Sequence, residues 1–177
     1  EVLVLEAEDS IGSGVSSRSS EVIHAGLYYP KDSLKARTCV RGKHLLYAFC
    51  RANGVAHRNC GKLVVATSAD EASALAGIAT AAAGNGVHDL RRLTRVEALA
   101  LEPELDVAEA LLSPSTGVVD SQGLLVAMQG EAEANGAMVV LRSPVASGRV
   151  REDGIEIVTG GPEPARLLAR SFVNAAG

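Results

Sequence analysis

The chain opens on an unbroken apolar run, Val2-Leu-Val-Leu5, closed by Glu6. Consecutive apolar residues with no alternation predict a strand buried on both faces. A Gly/Ser-rich stretch from Asp9 to Ser20 predicts a loop. The segment from Leu34 to Asn53 predicts a helix that Gly54 ends in the left-handed cap role. Leu63–Thr67 predicts a short strand. Ser68 followed by Glu71 has capping-box spacing and opens a helix to about Ala83, which Gly84-Asn85-Gly86 stops. Thr94 and Glu97 repeat that signature ahead of a short helix that ends before Pro103. Ala110–Leu112 and Gly117–Val119 read as strand pieces around a turn at Ser113-Pro114-Ser115.

Asp120 or Ser121 then caps a helix whose Leu124, Met128 and Ala132 recur at spacing four and share one face. Asn135-Gly136 ends it. Met138–Leu141, Val145–Val150, Ile155–Thr159 and Leu167–Val173 read as strands, with Glu152-Asp153-Gly154 as a hairpin turn. Helices and strands alternate early and strands meander late, without an internal repeat, which is a mixed α/β pattern. Both ends lie in core-like segments, so the chain reads as a piece of a longer protein.

Composition narrows the class. The 17 Lys and Arg against 21 Asp and Glu leave a net charge of −4 with no long basic block, which argues against nucleic acid as a main partner. The Arg91-Arg92 pair reads as a solvated turn. With two Phe, three Tyr and no Trp, the core must be aliphatic, which suits helices layered on sheet. No run approaches the roughly 18 to 20 apolar residues of a membrane span, and no secretory signal opens the chain. Cys39, Cys50 and Cys60 are an odd number without a pairing pattern, so a reducing, cytoplasmic setting with buried thiols on a helix face is expected. His57 and Cys60 lack a matching second half, and no metal site is expected.

Glu6 at a strand end is either an ordinary terminal acid or a carboxylate placed for ribose hydroxyls. The loop Gly12-Ser-Gly14-Val-Ser16-Ser17-Arg18 is either a flexible solvated segment or an anion cradle, its glycines admitting backbone N–H groups and its hydroxyls and guanidinium adding donors. The segment that follows, Val22-Ile-His24-Ala25-Gly26-Leu-Tyr28-Tyr29, is too apolar for a free loop.

Here the sequence resembles the FAD-dependent oxidoreductases of the D-amino-acid-oxidase superfamily, and within it the L-2-hydroxyglutarate dehydrogenase/oxidase branch. The resemblance is carried by Ser20-Glu-Val-Ile-His24-Ala-Gly-Leu-Tyr-Tyr29, Ser33-Leu-Lys-Ala-Arg37, Asn59-Cys-Gly-Lys62-Leu-Val-Val-Ala-Thr67 and Pro114-Ser-Thr-Gly-Val-Val-Asp120, in register along essentially the whole chain. The Ser16-Ser17-Arg18-Ser19 core also resembles flavin-linked glycerol-3-phosphate dehydrogenases, which show Ser/Thr-Lys where this chain has Ser20-Glu21.

The resemblance implies an α/β fold: an incomplete FAD-binding Rossmann-like domain at 1–60 and 138–177, and part of a mixed α+β substrate domain at 61–137. It implies that Glu6 binds the adenosine ribose and that Ser16, Ser17 and Arg18 line the pyrophosphate. His24, Ala25 and Gly26 would lie against the isoalloxazine. Val145 would meet the adenine through its backbone, and Asn174-Ala-Ala176-Gly177 would turn back over the cofactor. A neutral His24 would take the hydroxyl proton as a hydride leaves the substrate carbon. Lys62 would pair with a substrate carboxylate or remain a snorkelling surface lysine, and Tyr28 and Tyr29 would cover the flavin or merely pack.

The implied activity is oxidation of an L-2-hydroxy acid, 2-hydroxyglutarate first, with a quinone or oxygen as electron acceptor, in the cytoplasm or peripheral to a membrane. Flavin-linked glycerol-3-phosphate oxidation and a non-catalytic flavin-fold binding unit are the two alternatives.

Overall fold

The computed structural model describes residues 1–176 and divides into two compact units, one of residues 1–19 with 121–176 and one of residues 20–120. The compact units therefore divide at 19/20 and 120/121. The reason is packing. Ala25 and Leu27 share a buried cluster with Ala82 and Val87, which ties 20–60 to 61–120.

The unit of residues 20–120 is organised by one strand with two dry faces. β4 (Lys62–Ala66), β6 (Glu109–Ser113) and β5 (Arg91–Thr94) form an antiparallel sheet with β6 in the centre. Adjacent residues of a strand face opposite ways, so Ala110 and Leu111 serve different cores. Ala110 is buried with Leu93, Val107 and with Ala98 of α3 (Arg95–Leu101). Leu111 is buried with Ala66 and with Leu75 of α2 (Ala69–Gly84). Each large side chain so buried stabilises the unit by about 1.5–3 kcal/mol. A second antiparallel set joins β2 (Val22–Ile23), β7 (Gly117–Val119) and β3 (His57–Arg58), beside α1 (Leu34–Ala52).

Caps start the helices as expected, with one shift. Thr94 and Glu97 make a complete capping box. Ser68 accepts from the Glu71 N–H, but the Glu71 carboxylate reaches one residue further back, accepting from the Thr67 N–H at 2.7 Å and its hydroxyl at 2.8 Å. Gly54 adopts φ +67 after the last turn of α1.

In the other unit β1 (Val2–Leu5) pairs in parallel with β8 (Ala137–Val140), α4 (Ser121–Ala134) connects to β8, and β9 (Val145–Arg151), β10 (Gly154–Thr159) and β11 (Arg166–Ala169) form an antiparallel meander. Leu125 of α4 packs over Gly12, whose φ of +74 and lack of Cβ permit the approach.

Four expectations are corrected. Arg91-Arg92 is no turn: it begins β5, because Leu93 drops into the core while Arg92 chelates Glu109 of β6. The opening strand forms but is not buried, with Val2 60% exposed. The last strand stops at Ala169 instead of Val173, because Ala169 is already paired with Ile155 near the start of β10 and, among the described residues, no strand pairs with those that follow. Finally, Cys60 is exposed in a loop, while Cys39 and Cys50 sit on α1 as half-buried and buried thiols.

Candidate functional site

The segment after β2 is built as a fixed ledge rather than a loop. Ala25, Gly26 and Leu27 are buried against α1 and α2, and Gly26 holds φ +100 where a Cβ would come within 2.7 Å of Val40. Asn85, just past α2, donates through Nδ2 to the carbonyls of Gly26 (3.2 Å) and Tyr29 (2.8 Å). The Cys39 thiol donates to the carbonyl of His24 (3.4 Å). These bonds pin the backbone at His24 and just after it and leave its imidazole exposed.

The same ledge meets β4. Lys62 lies at the start of that strand with Nζ 4.8 Å from the centroid of the Tyr28 ring, a cation–π contact. His24, Ala25, Gly26 and Lys62 thus line one small hollow, with Tyr28 and Thr116 in its wall. Among the described residues no carboxylate lies within ion-pair distance of Lys62. Burial pushes the Cys39 thiol up and outweighs the lowering by Lys43, so Cys39 stays a thiol. Burial likewise raises the Tyr29 phenol, with Cys39 adding to it.

Behind the hollow the turn of Ser113–Thr116 is locked. Ser113 and Thr116 share a buried hydroxyl–hydroxyl bond of 2.8 Å, and the Gly61 N–H donates to the Thr116 carbonyl at 2.9 Å. With its amide turned so that Nδ2 faces them, Asn59 donates to the carbonyls of Pro114 (2.6 Å) and Thr116 (3.1 Å). Gly117 is enclosed so closely by the Tyr47 hydroxyl and the Arg58 carbonyl that no Cβ fits.

The remaining expected residues lie in the other unit. Glu6 closes β1 at the carboxyl end of a parallel strand pair; one of its carboxylate oxygens accepts from the Glu8 N–H (2.9 Å), and its carbonyl accepts from the Ser143 N–H (2.8 Å). That last bond brings Glu6 beside Ser143-Pro144-Val145. Ser16, Ser17 and Arg18 form one exposed turn of 3-10 helix over Val15–Arg18. There the Ser17 hydroxyl meets the Gly14 carbonyl (2.8 Å) and Arg18 Nη1 donates to the same oxygen (3.2 Å). The Ala176 N–H donates to Asn174 Oδ1 (3.1 Å), and Gly177 lies outside the described residues. A carboxylate at the end of a parallel strand and a Gly-Ser-Arg turn form a donor and acceptor set that fits a dinucleotide's ribose and phosphates.

Sequence reading overlooked Asn85, Cys39 and Thr116. Asn85 signalled only a helix stop, because its carbonyl partners are 56 and 59 residues away. Among the described residues no cluster of His, Cys, Asp and Glu is arranged to hold a metal, and no helix is long and apolar enough to cross a membrane.

Comparisons with known proteins identify the family of the chain. The family described as DAO, FAD dependent oxidoreductase, matches residues 1–177. The chain is 40% identical over 170 residues to the mitochondrial L-2-hydroxyglutarate dehydrogenase of Arabidopsis thaliana, covering 86% of this chain and 35% of that protein. It is 32% identical to L-2-hydroxyglutarate dehydrogenase of Escherichia coli O17:K52:H18, covering 94% of this chain and 40% of that protein. Its fold matches glycine oxidase from Geobacillus kaustophilus with a TM-score of 0.82 at 26% identity, over 99% of this chain and 48% of that one. L-alpha-glycerophosphate oxidase from Mycoplasma pneumoniae, with FAD bound, matches with a TM-score of 0.83 at 20% identity, over 92% of this chain and 43% of that one. The chain therefore spans about a third to a half of the length of these proteins.

Proposed function

Because this chain belongs to the DAO family of FAD-dependent oxidoreductases, we propose that it is part of a dehydrogenase that oxidises an L-2-hydroxy acid, L-2-hydroxyglutarate first, to the 2-oxo acid. The observation that carries this reading is the convergence of His24 and Lys62 on one hollow, in a chain 40% identical to a plant L-2-hydroxyglutarate dehydrogenase. FAD, when bound, supplies the acceptor for the hydride. Glu6 would hold the ribose hydroxyls, Ser16, Ser17 and Arg18 the phosphates and Val145 the adenine, Ala176 would close back over the cofactor, and His24, Ala25 and Gly26 would lie against the isoalloxazine.

The rest of the chemistry falls to side chains of the chain. His24 Nε2 or Nδ1 takes the hydroxyl proton of the substrate, which raises the tendency of the carbinol carbon to release hydride. Lys62 has no carboxylate partner among the described residues and offers an ammonium to a substrate carboxylate. The ledge clamped by Asn85 and Cys39 holds His24 at a set height, so little reorganisation accompanies proton transfer. Electrons leave to a quinone or oxygen. Three free thiols support a reducing, cytoplasmic setting.

The test is the visible spectrum of the purified flavoprotein under anaerobic conditions, before and after L-2-hydroxyglutarate. Bleaching of the yellow chromophore is the expected result. A chromophore that stays oxidised overturns the substrate assignment and makes glycerol 3-phosphate the next addition. A protein that takes up no FAD overturns the residue assignments for the cofactor.

A further inference from the structure

A second cleft opens on the other side of the Ser113–Thr116 turn. Thr116 lines the hollow that holds His24 and Lys62, whereas the neighbouring Ser115 lines a cleft beside α1 and β3. Lys43, Arg51 and Arg58 line that cleft together with His44 and His57. No Asp or Glu lines it, and none lies within ion-pair distance of Lys43, Arg51 or Arg58 among the described residues.

Lys43 is the decisive group. Its side chain rises from the middle of α1 and only 6% of the residue is exposed. Its ammonium donates to the Ser115 hydroxyl at 2.6 Å and, among the described residues, has no carboxylate within ion-pair distance. Burying an ammonium costs several kcal/mol unless a counter-charge is supplied, and one neutral hydroxyl does not supply it. The surrounding guanidinium groups compound the cost, since like charges repel across a partly dehydrated cleft. His57 Nδ1 lies 2.7 Å from the Val55 carbonyl, so that nitrogen carries the proton and the donor points at the backbone. Nε2 is thereby left as the ring's other polar atom.

We infer that this cleft is a second anion site, separate from the hollow of His24 and Lys62, and that it takes a small oxyanion, carboxylate or phosphoryl, whose charge is neutralised by Lys43 with Arg58 and Arg51 at the rim. The inference stands on charge and burial alone, so it does not require the proposed substrate to be correct.

Calorimetric titration of the purified flavoprotein with inorganic phosphate, and separately with glutarate, tests it and tells phosphoryl from carboxylate preference. Binding of at least one probe is expected. Lys43→Met, which keeps the apolar stem, should weaken that binding by about tenfold or more, and Arg58→Gln by about threefold. Lys62→Met should leave it unchanged. Arg58 is exposed, so its substitution keeps the test valid even if Lys43→Met folds poorly. The inference is overturned if neither probe binds, if binding survives both the Lys43 and Arg58 changes, or if Lys62→Met abolishes it, since the anion would then sit in the first hollow.

Discussion

The two units of this chain are apolar to a similar eye but packed very differently. In residues 20–120 the central strand β6 is covered on both sides, and Leu75, Leu93, Val107, Ala110 and Leu111 are all buried. In the unit of residues 1–19 and 121–176, Ile157 is the one buried hydrophobic residue described, while Val2, Leu3, Val4, Met138, Val140 and Val150 are exposed. The lesson is that an apolar strand sequence specifies a demand for cover, and whether cover is present is a property of the neighbours. The catalytic candidates His24 and Lys62 stand in the well-packed unit. The phosphate and ribose candidates stand in the open one.

That contrast is broken most directly by truncating one side chain in each unit. Leu75→Ala should cost about 3 kcal/mol in chemical denaturation, because it empties a filled core, whereas Val150→Ala should change stability by less than about 0.5 kcal/mol. Equal losses would mean that the open unit is buried in solution.

A glycine pair sharpens it with opposite signs. Gly117→Ala drives a methyl into the Tyr47 hydroxyl and the Arg58 carbonyl and should destabilise by about 2 kcal/mol. Gly130→Ala, inside α4 with open space around it, should stabilise by up to about 1 kcal/mol. Thermal unfolding of the two variants reads both signs.

Next in size is the clamp on the ledge. Asn85→Ala leaves the Gly26 and Tyr29 carbonyls without their donor and should cost about 1–2 kcal/mol, accompanied by a shift in the flavin absorption bands. An unaltered flavin spectrum would show that the His24 ledge holds its place without Asn85.

The smallest effect is acid sensitivity, and it too belongs to the packed unit. Hydrogen bonds from the Thr67 backbone hold the Glu71 carboxyl below its ordinary range, those from the Thr94 backbone do so for Glu97, and the Arg92 guanidinium does so for Glu109. A carboxylate with a lowered folded pKa contributes stability that is complete above its unfolded value of about 4 and is lost as pH falls through the folded one. Denaturation midpoints should therefore fall on acidification below about pH 4, and the slope should flatten when all three are changed to Gln. A slope that persists would assign the acid sensitivity to other carboxylates.

What could be read from the sequence was what is decided by residues close together in the chain. The capping box of Thr94 and Glu97, the left-handed Gly54 and the Glu152-Asp153-Gly154 turn involve partners within a few positions, so spacing alone exposed them. The likeness of the His24 segment to a flavin family was equally visible as a string of residues. The strand of Arg91–Thr94 was not, because two arginines become strand residues only when Leu93 finds a core and Arg92 finds Glu109.

By itself, then, the sequence determined the helices with local caps, the mixed α/β class and the residue types offered for chemistry. Tertiary structure alone decided that His24 and Lys62 share a hollow, that Asn85 clamps the ledge beneath them, and that Lys43 lies buried against Ser115 with no counter-charge among the described residues. The physical reason is range. Capping and turn energies are settled within one turn of chain, whereas burial and charge neutralisation depend on groups from distant parts of the sequence that meet only once the sheet has formed.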